Sequence, residues 1–429
     1  MNIARRLFLK QGGIALAAMG ASSIWKPGLL GRLSQAAEAA RTGSGKKVLV
    51  CVFQRGAADG LSMVVPHGDP FYYKHRQEIA LARPTREKPE GAALDLDGFF
   101  GLHPALDAFL PLYKAGQLAV IHAVGSPNSS RSHFDMQDFM ESGVPADKSV
   151  HNGWLNRMLQ QRPEAAASPF RAISMTSILP RTLQGESEAM AIRDLSTFGV
   201  NAPVALGNVT SGFEGMYDAA VDGVLHGTGK ESFDAIAMLK KANPAQYTPA
   251  DGATYPRAPL GHAMLQVAQL IKANVGLEVA FVEMDGWDTH ANQGAATGQL
   301  AGRLHDFSGA IAAFHRDMGD RMGDVLLLTM SEFGRAARQN GNRGTDHGHG
   351  TCFFALGGNV NGGRVLGKWP GLAPEALFEQ RDLAVTTDFR SVFAEAGVRH
   401  FGVRGDDLGK VLPNYSIDAG QFPGICKTS

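Results

Sequence analysis

The sequence predicts an α/β protein with a largely parallel central sheet and helices on both faces. Three observations lead there. Short apolar runs rich in β-branched residues recur along the chain. A long amphipathic helical pattern separates two of these runs, giving a strand–helix–strand unit. Clusters of acidic residues, histidine and glycine directly follow the apolar runs, where open α/β sheets carry their sites.

The elements follow in order. Lys47 to Phe53 reads as a buried first strand and runs into the glycine-bearing loop Gln54–Gly60. His103 to Tyr113 has helical spacing, and Gln117 to Ala123 reads as a strand. The loop Gly125–Arg131 leads into a helix beginning near Ser132. The stretch 184–259 is rich in Gly, Ala, Ser and Pro and has weak periodicity; it reads as an insertion or cap, with one clear helix at Glu231–Lys241. Leu260 to Ala273 is helical and Leu277 to Glu283 a strand. Leu300, Leu304, Phe307, Ile311, Phe314 and Met318 share one apolar helical face. Asp324 to Met330 is the next buried strand.

The first 39 residues read as an export signal, with cleavage near Ala39. Arg5-Arg6 precedes Leu7-Phe8-Leu9-Lys10, a short apolar stretch runs from Gly12 to Ile24, and Ala37-Glu38-Ala39 fits a small-residue cleavage site. The paired arginines resemble the twin-arginine type, which implies the twin-arginine export machinery as a partner and a periplasmic or otherwise exported protein. The apolar stretch is too short and small-residued for a stable membrane span. Residues 40–429 then form a single domain. Lys+Arg and Asp+Glu are equal in number, so no global field attracts nucleic acid. Three cysteines, an odd count, argue against a disulfide framework; Cys51 and Cys352 sit in strand-like runs and read as packing residues.

Two clusters carry the chemistry. Asp285-Gly286-Trp287-Asp288-Thr289-His290 and Gly344-Thr345-Asp346-His347-Gly348-His349-Gly350 set carboxylates and imidazoles close together, a donor set for a divalent cation. Asp285 and His290 read as ligands, with Asp288 as a ligand or an orienting partner. Asp346 and His347 supply two more, and His349 serves a second ion or the substrate. Asp59 projects a carboxylate beyond the first strand. Ser129, Ser130, Arg131, Ser132 and His133 combine hydroxyls, a cation and an imidazole before a helix, which suits either nucleophilic catalysis or N-capping. Ser331-Glu332-Phe333-Gly334-Arg335 closes the strand before the Asp346-His347 motif and reads either as a solvated helix start or as part of the site, with Glu332 binding the metal or a group behind it and Arg335, like Arg131, facing an oxyanion.

These motifs, with Arg55-Gly56-Ala57-Ala58-Asp59-Gly60-Leu61 and Gly153-Trp154-Leu155, resemble the exported DUF1501 family across nearly the whole mature chain. That family is similar in turn to the alkaline phosphatase superfamily, which includes sulfatases and cofactor-independent phosphomutases. The resemblance implies an alkaline phosphatase-like α/β/α sandwich holding divalent metal, with Zn²⁺, Mn²⁺ and Ca²⁺ as the candidates. It implies metal ligands at Asp59, Asp285, His290, Asp346 and His347. It leaves the nucleophile open between Ser129, by mutase spacing, and Ser132, by the DUF1501 motif. The superfamily's last metal histidine has no clear match at His349 or His400. No Cys-x-Pro-x-Arg motif is present, so formylglycine sulfatase chemistry is not expected. The implied function is hydrolysis of a small-molecule or cell-envelope phosphate ester, with sulfate esters second. The alternative is a non-catalytic metal-binding or assembly protein on the same fold.

Overall fold

The computed structural model describes residues 46–85, 90–162, 168–195, 247–250 and 252–428. The export signal, most of the expected insertion and its helix Glu231–Lys241 lie outside them.

Among the described residues nine strands form the main sheet: β1 (Val48–Gln54), β2 (Leu118–Gly125), β3 (Ala172–Ser174), β4 (Met190–Ala191), β5 (Val279–Met284), β6 (Val325–Met330), β7 (Thr351–Gly357), β8 (Arg364–Leu366) and β9 (Thr387–Asp388). The order is β8-β2-β7-β6-β1-β5-β3-β4, with β9 also pairing β2. β1 is parallel to both β5 and β6, whereas β7 is antiparallel to both β6 and β2. The other pairings are parallel, so β7 alone among the nine runs against the rest.

The expectation of a largely parallel sheet is met, with β7 as the antiparallel exception among these strands. Two parallel neighbours need a long crossover, normally a helix, but residues 331–350 between β6 and β7 contain none. The expected helix start at Ser331 is likewise irregular chain, with Ser331 and Glu332 fully buried.

Helices cover both faces: α1 (Phe109–Lys114), α2 (His133–Ser142), α3 (Trp154–Gln160), α4 (Pro259–Lys272), α5 (Gln299–Met318) and α6 (Phe389–Glu395). Alternation along β1 divides the core. Val48, Val50 and Val52 pack with Val267 of α4 and Phe307, Ile311 and Phe314 of α5. Leu49, Cys51 and Phe53 face the other way, with Trp154 of α3 and Phe393 of α6. Cys51 and Cys352 are buried and unbridged, as packing residues should be. Among the described residues no helix is long and apolar enough to cross a membrane.

The odd direction of β7 positions the site. β1, β2, β5 and β6 end at one sheet edge, and β7 begins there. The loops at 55–59, 126–132, 285–290 and 331–350 therefore converge on that edge.

Candidate metal centre

Arg335 holds these loops together. It is 1% exposed and donates to the carbonyls of Ala57 at 2.8 Å, Gly56 at 2.6 Å, Trp287 at 3.1 Å and Thr345 at 3.0 Å, and to Asp288 Oδ1. Two glycines permit the approach. A Cβ on Gly344 would lie 2.4 Å from the His290 carbonyl, and one on Gly348 2.3 Å from the Arg335 carbonyl carbon. The first turn of α2 contributes His133; Ser132 is its N-cap, with Oγ accepting from the Asp135 N–H at 3.4 Å.

Three imidazoles meet at this edge. His347 Nε2 lies 3.0 Å from His133 Nε2 and 3.0 Å from His290 Nε2. Asp288 Oδ1 lies 3.7, 3.0 and 3.3 Å from the Nε2 atoms of His133, His290 and His347. The far nitrogen of every ring faces an acceptor. His133 Nδ1 is 2.8 Å from Glu332 Oε1, His347 Nδ1 is 2.8 Å from the Arg131 carbonyl, and His290 Nδ1 is 3.3 Å from Asp346 Oδ1. Carboxylate and carbonyl oxygens accept only, so His133 and His347, when neutral, carry the hydrogen on Nδ1 against their nearest acceptors and present a lone pair at Nε2; His290 faces a carboxylate oxygen from both nitrogens.

Unprotonated Nε2 atoms and a carboxylate oxygen at such separations repel one another unless a proton or a metal cation lies between them. Donors about 2.0–2.1 Å from one tetrahedral ion stand about 3.3–3.4 Å apart; the five separations above fall at 3.0–3.7 Å, and the donor atoms of His133, Asp288 and His347 all lie within 4.8 Å of one another, with His290 adjoining Asp288 and His347. The residues therefore fit a divalent metal. Their Nδ1 partners are the kind that fix ring orientation and basicity in metal sites.

Burial opposes charge on Glu332, but bonds from His133, Gln137 and the Gly56 N–H hold its carboxyl below the usual range. The same Glu332 bond raises the pKa of His133, whereas burial lowers that of His347. Asp288 sits below the usual range although burial opposes its charge, because Arg335 donates to it. Asp346 is lowered by its bond from Asn340 and then by His290.

Asp288, His290 and His347 thus come together as the motifs suggest, with Asp346 behind His290. His133, expected as a catalytic residue, joins them as a donor. Its signal was the histidine in Arg131-Ser132-His133-Phe134, but nothing in the spacing says that α2 reaches the β5 and β7 loops. Asn340, which bonds both Asp346 Oδ1 at 2.9 Å and the His290 carbonyl at 2.8 Å, gave no signal beyond a turn at Asn340-Gly341.

Other candidates lie elsewhere. Asp59 is 1% exposed and accepts from Arg76 at 2.7 and 2.8 Å, from Ser62 at 2.7 Å and from Gln293 at 2.7 Å. Its charge is balanced inside the core rather than offered to the imidazoles. Asp285 is exposed and outside the group. His349 stacks on Phe378 with ring centroids 4.6 Å apart, and burial lowers its pKa to about 4. Arg131 pairs with Asp382 and Glu379, each at 2.6 Å. Ser129 and Ser132 are exposed.

The family model described as "Protein of unknown function (DUF1501)" matches residues 116–413. No curated protein matches the chain. Among solved structures it is similar to the PsFucS1 sulfatase from Pseudoalteromonas sp., with 13% identity over 94% of this chain and 77% of that one, at a TM-score of 0.40. It is also similar to the lipoteichoic acid synthase LtaP from Listeria monocytogenes (10% identity, 75% and 68% covered, TM-score 0.30). The alkaline phosphatase of the Antarctic bacterium TAB5 is another (12% identity, 73% and 91% covered, TM-score 0.24).

Proposed function

This chain belongs to the DUF1501 family, and we propose that it is an exported metal-dependent hydrolase of phosphate esters, with sulfate esters second. The family's function is unknown, so membership carries no activity, and the case rests on the metal centre. The observation that carries it is the convergence of the Nε2 atoms of His133 and His290 on His347 Nε2 and on Asp288 Oδ1, at 3.0–3.7 Å. His133, His290, His347 and Asp288 would hold the ion. Three imidazoles and one carboxylate suit Zn²⁺; Mn²⁺ and especially Ca²⁺ prefer more oxygen donors. When bound, such an ion supplies a Lewis acid for an ester oxygen and lowers the pKa of water.

The chain's own groups prepare that site. Glu332, the Arg131 carbonyl and Asp346 hold the rings. Arg335 fixes Asp288 and offsets its charge. The four side chains are between 24% and 45% exposed, so an ester in solution can reach them. Arg5-Arg6 and the apolar stretch after it support passage through the twin-arginine machinery to the periplasm. Periplasmic accumulation of the Arg5→Lys, Arg6→Lys double variant at the normal level would remove that part of the reading.

The test of the hydrolase is elemental analysis of protein purified without chelators, followed by turnover of aryl phosphate and sulfate esters before and after chelation. One divalent ion per chain and chelator-sensitive turnover are expected. Protein that carries no metal and ignores added Zn²⁺, Mn²⁺ and Ca²⁺ would sink the proposal.

A second reading, a non-catalytic metal-binding or assembly protein, is favoured by one observation. Arg131 is engaged by Asp382 and Glu379, and Arg335 by four carbonyls and Asp288. Neither expected oxyanion partner is therefore free. Fully metallated protein that turns over none of the esters would decide for it.

A further inference from the structure

We infer that Arg303 completes a binding site for a tetrahedral oxyanion beside the imidazole cluster, the phosphate or sulfate group of an ester; this rests on the hydrolase reading. An ester anion needs a cation besides any metal, and the two arginines expected to supply it are spent. Arg55 is also paired, with Glu283 at 2.6 Å and Glu141 at 2.8 Å, and Arg76 is buried against Asp59.

Arg303 differs. It lies on α5 and is exposed, and its guanidinium has no ion pair or hydrogen bond to the described residues. Its guanidinium lies against Gly286. A Cβ at that glycine would fall 2.3 Å from Nη2, 2.4 Å from Cζ and 2.7 Å from Nε of Arg303. Gly286 has φ +90°, a conformation that favours glycine, and the missing side chain leaves the guanidinium its seat.

That seat is on the loop that carries Asp288 and His290. Gly286 is two residues before Asp288, and two residues span at most about 7 Å. The loop is also fixed to the helix that carries Arg303. Trp287 is fully buried, and its ring meets Phe307 edge-on at 5.5 Å. Phe307 is one helical turn beyond Arg303, so the two side chains leave the same face of α5. A planar fork of N–H donors held in this way, with its hydrogen-bonding capacity unused, matches two oxygens of a phosphate or sulfate group.

The test uses the full mature chain loaded with Zn²⁺ and titrated calorimetrically with inorganic phosphate and, separately, inorganic sulfate. Arg303→Gln should weaken anion binding at least about tenfold, the loss of a charge-assisted bidentate contact. Zn²⁺ content and melting temperature should stay at the parent values, and Arg303→Lys should fall between the two. If Arg303→Gln binds both anions as tightly as the parent, the inference falls while the hydrolase reading stands. If the metallated parent binds neither anion, both fall together.

Discussion

His133 Nε2 and His347 Nε2 stand 3.0 Å apart while both rings face acceptors at Nδ1, Glu332 for one and the Arg131 carbonyl for the other. When both rings are neutral with hydrogen on Nδ1, neither has a second hydrogen to place between the two nitrogens. Glu332 is the more testable of the two acceptors, because it is a side chain. Glu332→Gln can turn an N–H toward His133 and no longer favours hydrogen on Nδ1. Metal affinity should fall about 10–100-fold, the usual effect of losing such a partner. Competition against a chelator of known affinity measures it, with near-UV circular dichroism to check packing. Unchanged affinity would mean that packing alone orients the ring.

A second prediction separates structural from ligating acids. Asp59 and Arg76 form a buried pair, 1% and 0% exposed. Removing one partner of such a pair costs about 3–5 kcal/mol, because the other charge is stranded. Asp59→Asn should therefore lower the urea midpoint sharply and leave metal per folded chain unchanged. A variant with its parent midpoint and no metal would make Asp59 a ligand instead.

The legibility of this chain divides along the same line. β1, β5, β6 and α5 could be read within a residue or two because apolar runs and a four-and-three apolar period are local properties. The direction of β7 could not, since an apolar run looks the same in either sense. Ser331-Glu332 resembled a solvated helix start because both residues are polar. Their reason for burial is tertiary: the Ser331 hydroxyl donates to the Gln54 carbonyl at 2.8 Å, and Glu332 accepts from the Gly56 N–H at 2.8 Å. His290 and His347 stood out through their glycine-rich runs. Asp59 misled because its partner Arg76 closes a different short helix, Pro70–His75.

Acid stability should depend on Asp317. Its carboxylate accepts from Lys272, Tyr247, Tyr255 and the Ala250 N–H. Burial opposes its charge, but these donors hold its pKa below the usual value. A carboxyl with a depressed folded pKa contributes stability above its unfolded pKa, about 3.9, and loses it as pH falls through the folded value. Asp317→Asn should therefore be less stable than the parent at neutral pH, with the gap closing below about pH 4. Thermal melts across that range measure it; a constant gap would assign the loss to packing.

The last prediction concerns Ser129 and Ser132. A serine nucleophile is activated by a base or by a metal, and the histidine next to Ser132 is engaged at both nitrogens. His133 Nδ1 faces Glu332 at 2.8 Å and Nε2 faces the cluster. Ser132 Oγ already accepts the Asp135 N–H, although at a long 3.4 Å, so its role is to cap α2. Ser132→Ala should cost about 1 kcal/mol of stability or less. Ser129→Ala should cost less still, since Ser129 is exposed and caps no helix. Ester turnover, where it is measured, should persist in both variants and in the double variant at unchanged metal content. A fall of several orders of magnitude in either single variant, with the metal retained, would restore the covalent route and name its nucleophile.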